Sequence, residues 1–277
     1  MSHSLIVFTG STPNIGTTVA ALGTACRLAA RTGKRVGFLC LNLKSAKTHL
    51  YLGVDEPKVT LDAIRPELRA GTLTAEKLRA YAHTPSRLPG VHVLFGNLPR
   101  DQAEYYEPEQ IEHLLREARA AFDATIADVS AYWDNAATIC AMRMADHRCL
   151  VTTGRFTHFR EDVYRWTGQV AAQFGIRPEQ FHLVVMRGSD RLSGGFAMKE
   201  IRKETGSFSF SELRLAESLH LQLDSGRLDE WLAEERQAAA FDAVADPLLR
   251  KLNWVDRFLK TDRPWIRRLW RHRGRTE

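Results

Sequence analysis

Short, almost wholly apolar runs alternate along the chain with segments whose apolar positions recur every three to four residues. The runs are SLIVFT (4–9), RVGFLCL (35–41), VHVLFGN (91–97), ATIADV (124–129), RCLVTT (148–153) and FHLVVMR (181–187). Runs apolar at successive positions predict strands covered on both faces, as in a parallel sheet. Between them lie helix-length patterns: residues 18–32, stopped by Gly33; residues 108–122, with Ile111, Leu114, Leu115, Ala118 and Phe122 on one face; and residues 161–174. Strands alternating with helices predict crossover βαβ units, and hence an α/β fold with a mostly parallel sheet and helices on both faces. Residues 54–90 carry two short helical patterns and a turn, HTPSRLPG. A last strand is expected at FSFSEL, followed by helices that return over the sheet.

The pattern changes after residue 250. Trp254, Val255, Phe258 and Leu259, then Trp265, Ile266, Leu269 and Trp270, each fit positions i, i+1, i+4, i+5 on one helical face, with Pro264 between the quartets. Arg263, Arg267, Arg268, Arg271 and Arg273 stand opposite. The chain therefore divides into a body, 1–250, and a basic amphipathic tail, 251–277. A Trp-bearing basic amphipathic helix suits an anionic membrane interface, with Trp254, Phe258, Trp265, Arg267, Arg268, Trp270 and Arg271 as the contact residues. The same segment suits packing on the body or on a partner protein, or stacking on nucleic acid.

Charge sharpens that division. The net charge is +6, and residues 250–277 hold ten basic and three acidic side chains, a net of +7, so the preceding 249 residues carry a net of −1. An acidic partner is expected for the tail, not for the body. No apolar run approaches the ~20 residues of a membrane span. Residues 5–9 are expected to be a strand, since no basic segment precedes them and no cleavage site follows. The four cysteines form no CxxC pair and sit in apolar stretches, which predicts buried thiols in a reducing cytoplasm.

The candidate chemistry lies just after the first run. TGSTPNIGTT (9–18) joins a strand to an alanine-rich helix, the outline of a loop that cradles phosphate with backbone N–H groups. It contains no lysine. Pro13 removes one N–H, and Asn14 places a side chain where close backbone approach favours glycine.

The order of these pieces resembles the MinD/ParA group of P-loop ATPases, and within it the pilus-assembly proteins of the CpaE/TadZ type, over roughly residues 4–250. The group's KGGxGKTT loop is matched ungapped by Thr12–Val19, a register that keeps Gly16 in the turn; a shift by one would align the Thr pairs instead. LCLNLKSAKTHLYLG follows where the group has an Asp-x-Asp segment. FDATIADVSAYWDNAATICAMRMADHRCLVTT, LVVMRGSD and SELRLAESLHLQLDSGRLDEWL follow in the group's order. The resemblance implies Asn14, Ile15, Gly16, Thr17 and Thr18 as the nucleotide-binding positions. It implies Thr18 and Asp128 as the residues around Mg²⁺. It also shows departures: the clamping lysine falls on Thr17, the group's leading lysine on Thr12, the Asp-x-Asp pair on Cys40 and Asn42, and the adenine-reading Asn on Met186. CpaE/TadZ proteins often lack the loop lysine as well. Three states of the loop follow: ATP hydrolysis, with Lys44 or Lys47 as replacement cations; binding of ATP and Mg²⁺ without turnover; or a loop that only supports the fold. Asp128 has an equally simple reading, as a strand-end carboxylate that binds loop N–H groups. The expected function is a largely non-catalytic positioning or assembly factor, cytoplasmic and peripheral at the inner face of the membrane, for a pilus or secretion apparatus. The alternatives are an ATP-dependent dimerising ATPase and a ParA-like nonspecific DNA binder.

Overall fold

A computed structural model describes residues 3–188, 196–205 and 209–257. Seven strands form one sheet: β1 (Ser4–Gly10), β2 (Val36–Leu41), β3 (Val91–Leu94), β4 (Ala124–Val129), β5 (His147–Thr153), β6 (Phe181–Arg187) and β7 (Ser209–Arg214). Their spatial order is β3-β2-β4-β1-β5-β6-β7, and every pairing is parallel. The apolar runs become strands because both pleat faces are covered. On β1, Leu5 and Val7 join one core, while Ile6 and Phe8 join the other. The first core takes the helices Pro108–Ala121 and Ala136–Met144; the second takes helix α1 (Thr17–Thr32) and the final helix Asp242–Leu252.

α1 ends as its sequence predicts. Gly33 takes a left-handed φ of 66° and its N–H bonds to the Ala29 carbonyl. Two expected elements differ. The run 91–97 is a strand only through Leu94, because Asn97 turns in to donate its side-chain amide to the carbonyls of Leu43 and Pro99. The helix expected at 161–174 starts earlier and is wound as a π-helix over Thr157–Val163 and Arg165–Val170 before Ala171–Gln173 closes it. Apolar spacing does not distinguish i→i+5 winding from i→i+4 over so short a stretch.

The start of the tail also differs from the expectation. The final helix stops at Asn253, whose φ is 54°, and Trp254–Asp256 are not helical, so Trp254 and Val255 do not share a helical face. Trp254 is half-buried against the second core with Lys34 Nζ 5.1 Å from its ring centre. Phe258, Trp265, Arg267, Arg268, Trp270 and Arg271 lie outside the described residues. Among the described residues no helix is long and apolar enough to cross a membrane.

Candidate functional site: the loop after the first strand

The loop leaves the C-terminal end of β1, the central strand, between β4 and β5. That edge is where open parallel sheets bind ligands. Its root is clamped on both sides: Thr9 Oγ1 donates to the Ser130 carbonyl at 2.8 Å, and the Ser11 amide donates to the Val151 carbonyl at 2.8 Å. Ser11 Oγ donates to Thr152 Oγ1 at 3.1 Å. A third tie comes from outside the sheet, where Trp166 Nε1 donates to the Ser11 carbonyl at 2.6 Å. Trp166 in turn stacks on Trp133, 5.7 Å between ring centres.

The turn carries two left-handed residues, Asn14 (φ 60°) and Gly16 (φ 92°). Asparagine tolerates that region better than other side chains, so the turn keeps its path without glycine at 14. Gly10 is required for a different reason. A Cβ there would stand 2.7 Å from Thr17 Oγ1 and 2.8 Å from the Thr12 carbonyl. The hydroxyl at the lysine position is thus folded back against the root of its own loop. A Cβ at Gly16 would meet the Met186 methyl at 2.9 Å. The Met186 side chain therefore lies against the turn.

Behind the loop, Thr18 Oγ1 donates to Asp128 Oδ2 at 2.7 Å. Asp128 is 1% exposed. Burial pushes its carboxyl from 3.8 up to about 7, with the Thr18 hydrogen bond pulling the other way. In the sheet register Asp128 lies beside Cys40 on β2. That thiol is itself buried and pushed up to about 12, by burial and then by the Asp128 charge. A carboxylate at 40 would be a second buried negative charge against the first; a neutral thiol avoids it.

The expected replacement cation points elsewhere. Lys44 Nζ sits 2.9 Å from Asp134 Oδ2 and 3.7 Å from Glu104 Oε1, which together raise its pKa. Lys47 stands at the position before the short helix Thr48–Tyr51, with no side-chain capping bond. Asn14, Ile15, Gly16, Thr17 and Thr18 thus lie in one loop and the turn of α1 that follows it, with Asp128 bonded to Thr18 and the Met186 methyl against Gly16.

The comparisons with known proteins add to this geometry. The ParA family ATPase of Chlorobium tepidum superposes with a TM-score of 0.74 at 18% identity, covering 89% of this chain and 99% of that one. The cell-division ATPase MinD of Pyrococcus furiosus gives 0.72 at 19% identity, over 91% and 100%. The septum site-determining protein MinD of Pyrococcus horikoshii, solved with Mg-ADP, gives 0.67 at 17%, over 88% and 96%. The fold is that of the MinD and ParA ATPases. No model of a protein family and no curated protein matches the chain.

Against that fold, the residues fit half of a Mg-nucleotide site. Thr18 and the buried Asp128 suit the shell of a magnesium ion, and the left-handed turn leaves backbone N–H groups for an anion. Among the described residues no cluster of three or more His, Cys, Asp or Glu is placed to hold a metal, so an ion here would draw its other ligands from phosphate and water. The loop offers no cation for the phosphates.

Two features of the body escaped the sequence reading. One is the Trp166–Ser11 tie. The other is a partly buried network in which Arg27 Nε donates to Asp242 (2.6 Å) and Nη1 to Glu235 (2.9 Å), while Arg31 donates to Asp242, Asp246 and Asp256. The second had a legible signal: Arg27 and Arg31 on α1 match Asp242 and Asp246 on the final helix, both pairs spaced i, i+4.

Proposed function

We propose that this chain is a MinD/ParA-like positioning or assembly factor whose loop senses phosphate weakly, if at all, and does not turn over ATP. The observation that carries this reading is the position of Thr17: where a clamping lysine would reach the phosphates, a short hydroxyl folds back onto Gly10. Phosphoryl transfer depends on positioning and on neutralising charge that spreads over the transferred group. Each lost preorganised donor typically costs about 10²–10³ in rate, and here two loop lysines and the Asp-x-Asp carboxylates have no counterpart. Thr18 and Asp128 keep the chemistry needed to orient a magnesium-bound anion. When bound, Mg-nucleotide would supply the negative charge and the metal; this chain's residues would supply backbone N–H groups, the Thr18 hydroxyl and the Asp128 carboxylate.

The tail completes the reading. Its Trp and Arg content supports attachment to the anionic inner face of the cell membrane, through Trp254, Phe258, Trp265, Arg267, Arg268, Trp270 and Arg271. Service to a pilus or secretion machine rests on the CpaE/TadZ resemblance alone. Calorimetric titration of the full chain with Mg-ATP and Mg-ADP, with Thr18→Ala alongside, tests the loop. Weak or no heat and no steady-state turnover are expected; turnover that vanishes in Thr18→Ala would overturn the non-catalytic reading.

A further inference from the structure

The two edges of the sheet differ. At the β3 edge the strand is closed from outside. The His83 amide donates to the Val93 carbonyl at 2.8 Å, the Val93 amide returns a bond to the His83 carbonyl at 2.7 Å, and the Leu61 amide donates to the Phe95 carbonyl at 2.9 Å. At the other edge β7 pairs with β6 along one side. Among the described residues no strand or bridge pairs with its outer side. An open strand edge is a template for another strand.

The groups that face outward follow from alternation along the strand. The Leu215 amide donates to the Arg187 carbonyl of β6 at 3.3 Å. Ser211 and Leu213 therefore turn their backbone groups toward β6 as well, and Glu212 and Arg214 turn theirs outward. The side chains of Glu212 and Arg214 share the face opposite Leu213, which is buried in the second core. Arg214 Nη2 stands 3.0 Å from Glu212 Oε1, and Arg187 Nε stands 3.5 Å from the same oxygen. The Arg214 side chain is 74% exposed.

A second copy of β7 is the complement of this edge. With Leu213 on a two-fold axis, the central pair is the non-hydrogen-bonded kind, since its backbone groups are spent on β6. Glu212 then lies opposite Arg214 of the partner subunit in a hydrogen-bonded pair, and the symmetry makes that pair twice. Moving the axis by one residue would set Glu212 against its own copy, or Arg214 against its own copy, which places like charges directly opposite. Setting the axis between residues would match outward groups with groups already bonded to β6. The charge pattern thus selects one register. Arg187 stays beside Glu212 when Arg214 turns across to the partner, so the carboxylate keeps a cation throughout.

We propose that β7 is a homotypic interface, through which two copies pair antiparallel by Glu212 and Arg214 into one continuous sheet. The contact is short, so the pair is weak and reversible. Antiparallel pairing points the C-terminal strand ends of the two copies in opposite directions and leaves both loop edges uncovered. Such a pair needs no nucleotide, and it stands apart from the readings of the loop and the tail.

The test is sedimentation equilibrium of the full chain without nucleotide, over a concentration series reaching about 1 mM. A reversible dimer is expected. Arg214→Glu turns both cross-strand pairs into like charges and should weaken self-association by about tenfold or more. Glu212→Arg should do the same. Mixed in equal amounts, these two variants should associate with each other as the wild-type chain does, because every cross-strand pair is again opposite in sign. A purely structural role for the two side chains gives no such rescue. Should Glu212→Arg fold poorly beside Arg187, Arg214→Pro supplies a second probe: its ring removes an outward N–H, spares the bonds to β6, and should also dissociate the pair. Thermal melting checks that each variant folds. A monomer throughout the series, a dimer unmoved by Arg214→Glu and Arg214→Pro, or no association on mixing the folded charge variants would overturn the proposal. Dimers that form only with Mg-ATP would overturn it too and move the contact to the loop edge.

Discussion

Replacing Asp128 by asparagine isolates the electrostatic cost of the candidate site. The carboxyl is buried and its neutral form is favoured, so its folded-state pKa is about 7 against 3.8 for the free side chain. A group raised in this way contributes stability that is fully present below pH 4 and is lost as the pH rises to 7. At 1.36 kcal/mol per pH unit, the interval is worth about 4 kcal/mol in full, and roughly 3 kcal/mol of it falls between pH 5 and pH 8. The amide of Asp128→Asn keeps an oxygen to accept from Thr18 and cannot ionise. The variant should therefore gain on the wild type by roughly 3 kcal/mol more at pH 8 than at pH 5. Urea unfolding at both pH values measures this, and comparing the two proteins cancels the buried His49 and His182 and the half-buried His83, His92 and His147, whose pKa values are all lowered by loss of solvent. Equal offsets at the two pH values would refute the reasoning and mean that a cation or loop N–H groups already compensate the charge. Millimolar Mg²⁺ that erases the wild-type loss at pH 8, but does nothing for Asp128→Asn, would identify the compensating ion.

Thr17→Lys should restore a cation to the loop and tighten Mg-ADP binding by about tenfold or more, a charged hydrogen bond being worth about 1.5–3 kcal/mol; calorimetry reads it. Gly10→Ala should cost about 2 kcal/mol, because its Cβ meets the Thr12 carbonyl at 2.8 Å and backbone cannot step aside; a thermal melt reads it. Arg31→Met should destabilise the protein by about 3 kcal/mol by removing the guanidinium bonded to buried Asp256, and proteolysis after residue 250 should accelerate. Trp166→Phe removes the donor to the Ser11 carbonyl, at about 1 kcal/mol, and should quicken amide exchange in residues 10–16.

The sheet was legible because its strands are buried on both faces. A continuous apolar run such as ATIADV has no other stable place, and its predicted bounds match β4. The end of β3 was not, since VHVLFGN reads as one run and only the inward turn of Asn97 ends it. At the site, the resemblance to the MinD/ParA group named Thr18 and Asp128 together, and the fold explains why they meet: α1 begins and β4 ends at the same sheet edge. Their direct 2.7 Å bond, the folded-back Thr17 and the Met186 methyl over Gly16 depend on side-chain directions that spacing does not encode. The tail root was misread for a related reason. Trp254 and Val255 have helical spacing, but the ion pair of Asp256 with Arg31 binds the chain to α1 in a non-helical path, and that tertiary contact outweighs local periodicity.

The loop's persistence without its cations follows from what holds it. Its root is fixed by bonds from Thr9, Ser11 and Trp166 to β4, β5 and its own backbone, and none of these involves a ligand. The lysines of a catalytic loop, by contrast, are needed only when phosphate charge is present to be neutralised. A loop without them forgoes that neutralisation without forgoing a support, and the turn here has left-handed residues at 14 and 16. Toward the other end of α1, Arg27 and Arg31 meet Glu235, Asp242, Asp246 and Asp256 and hold the final helix and the start of the tail to α1.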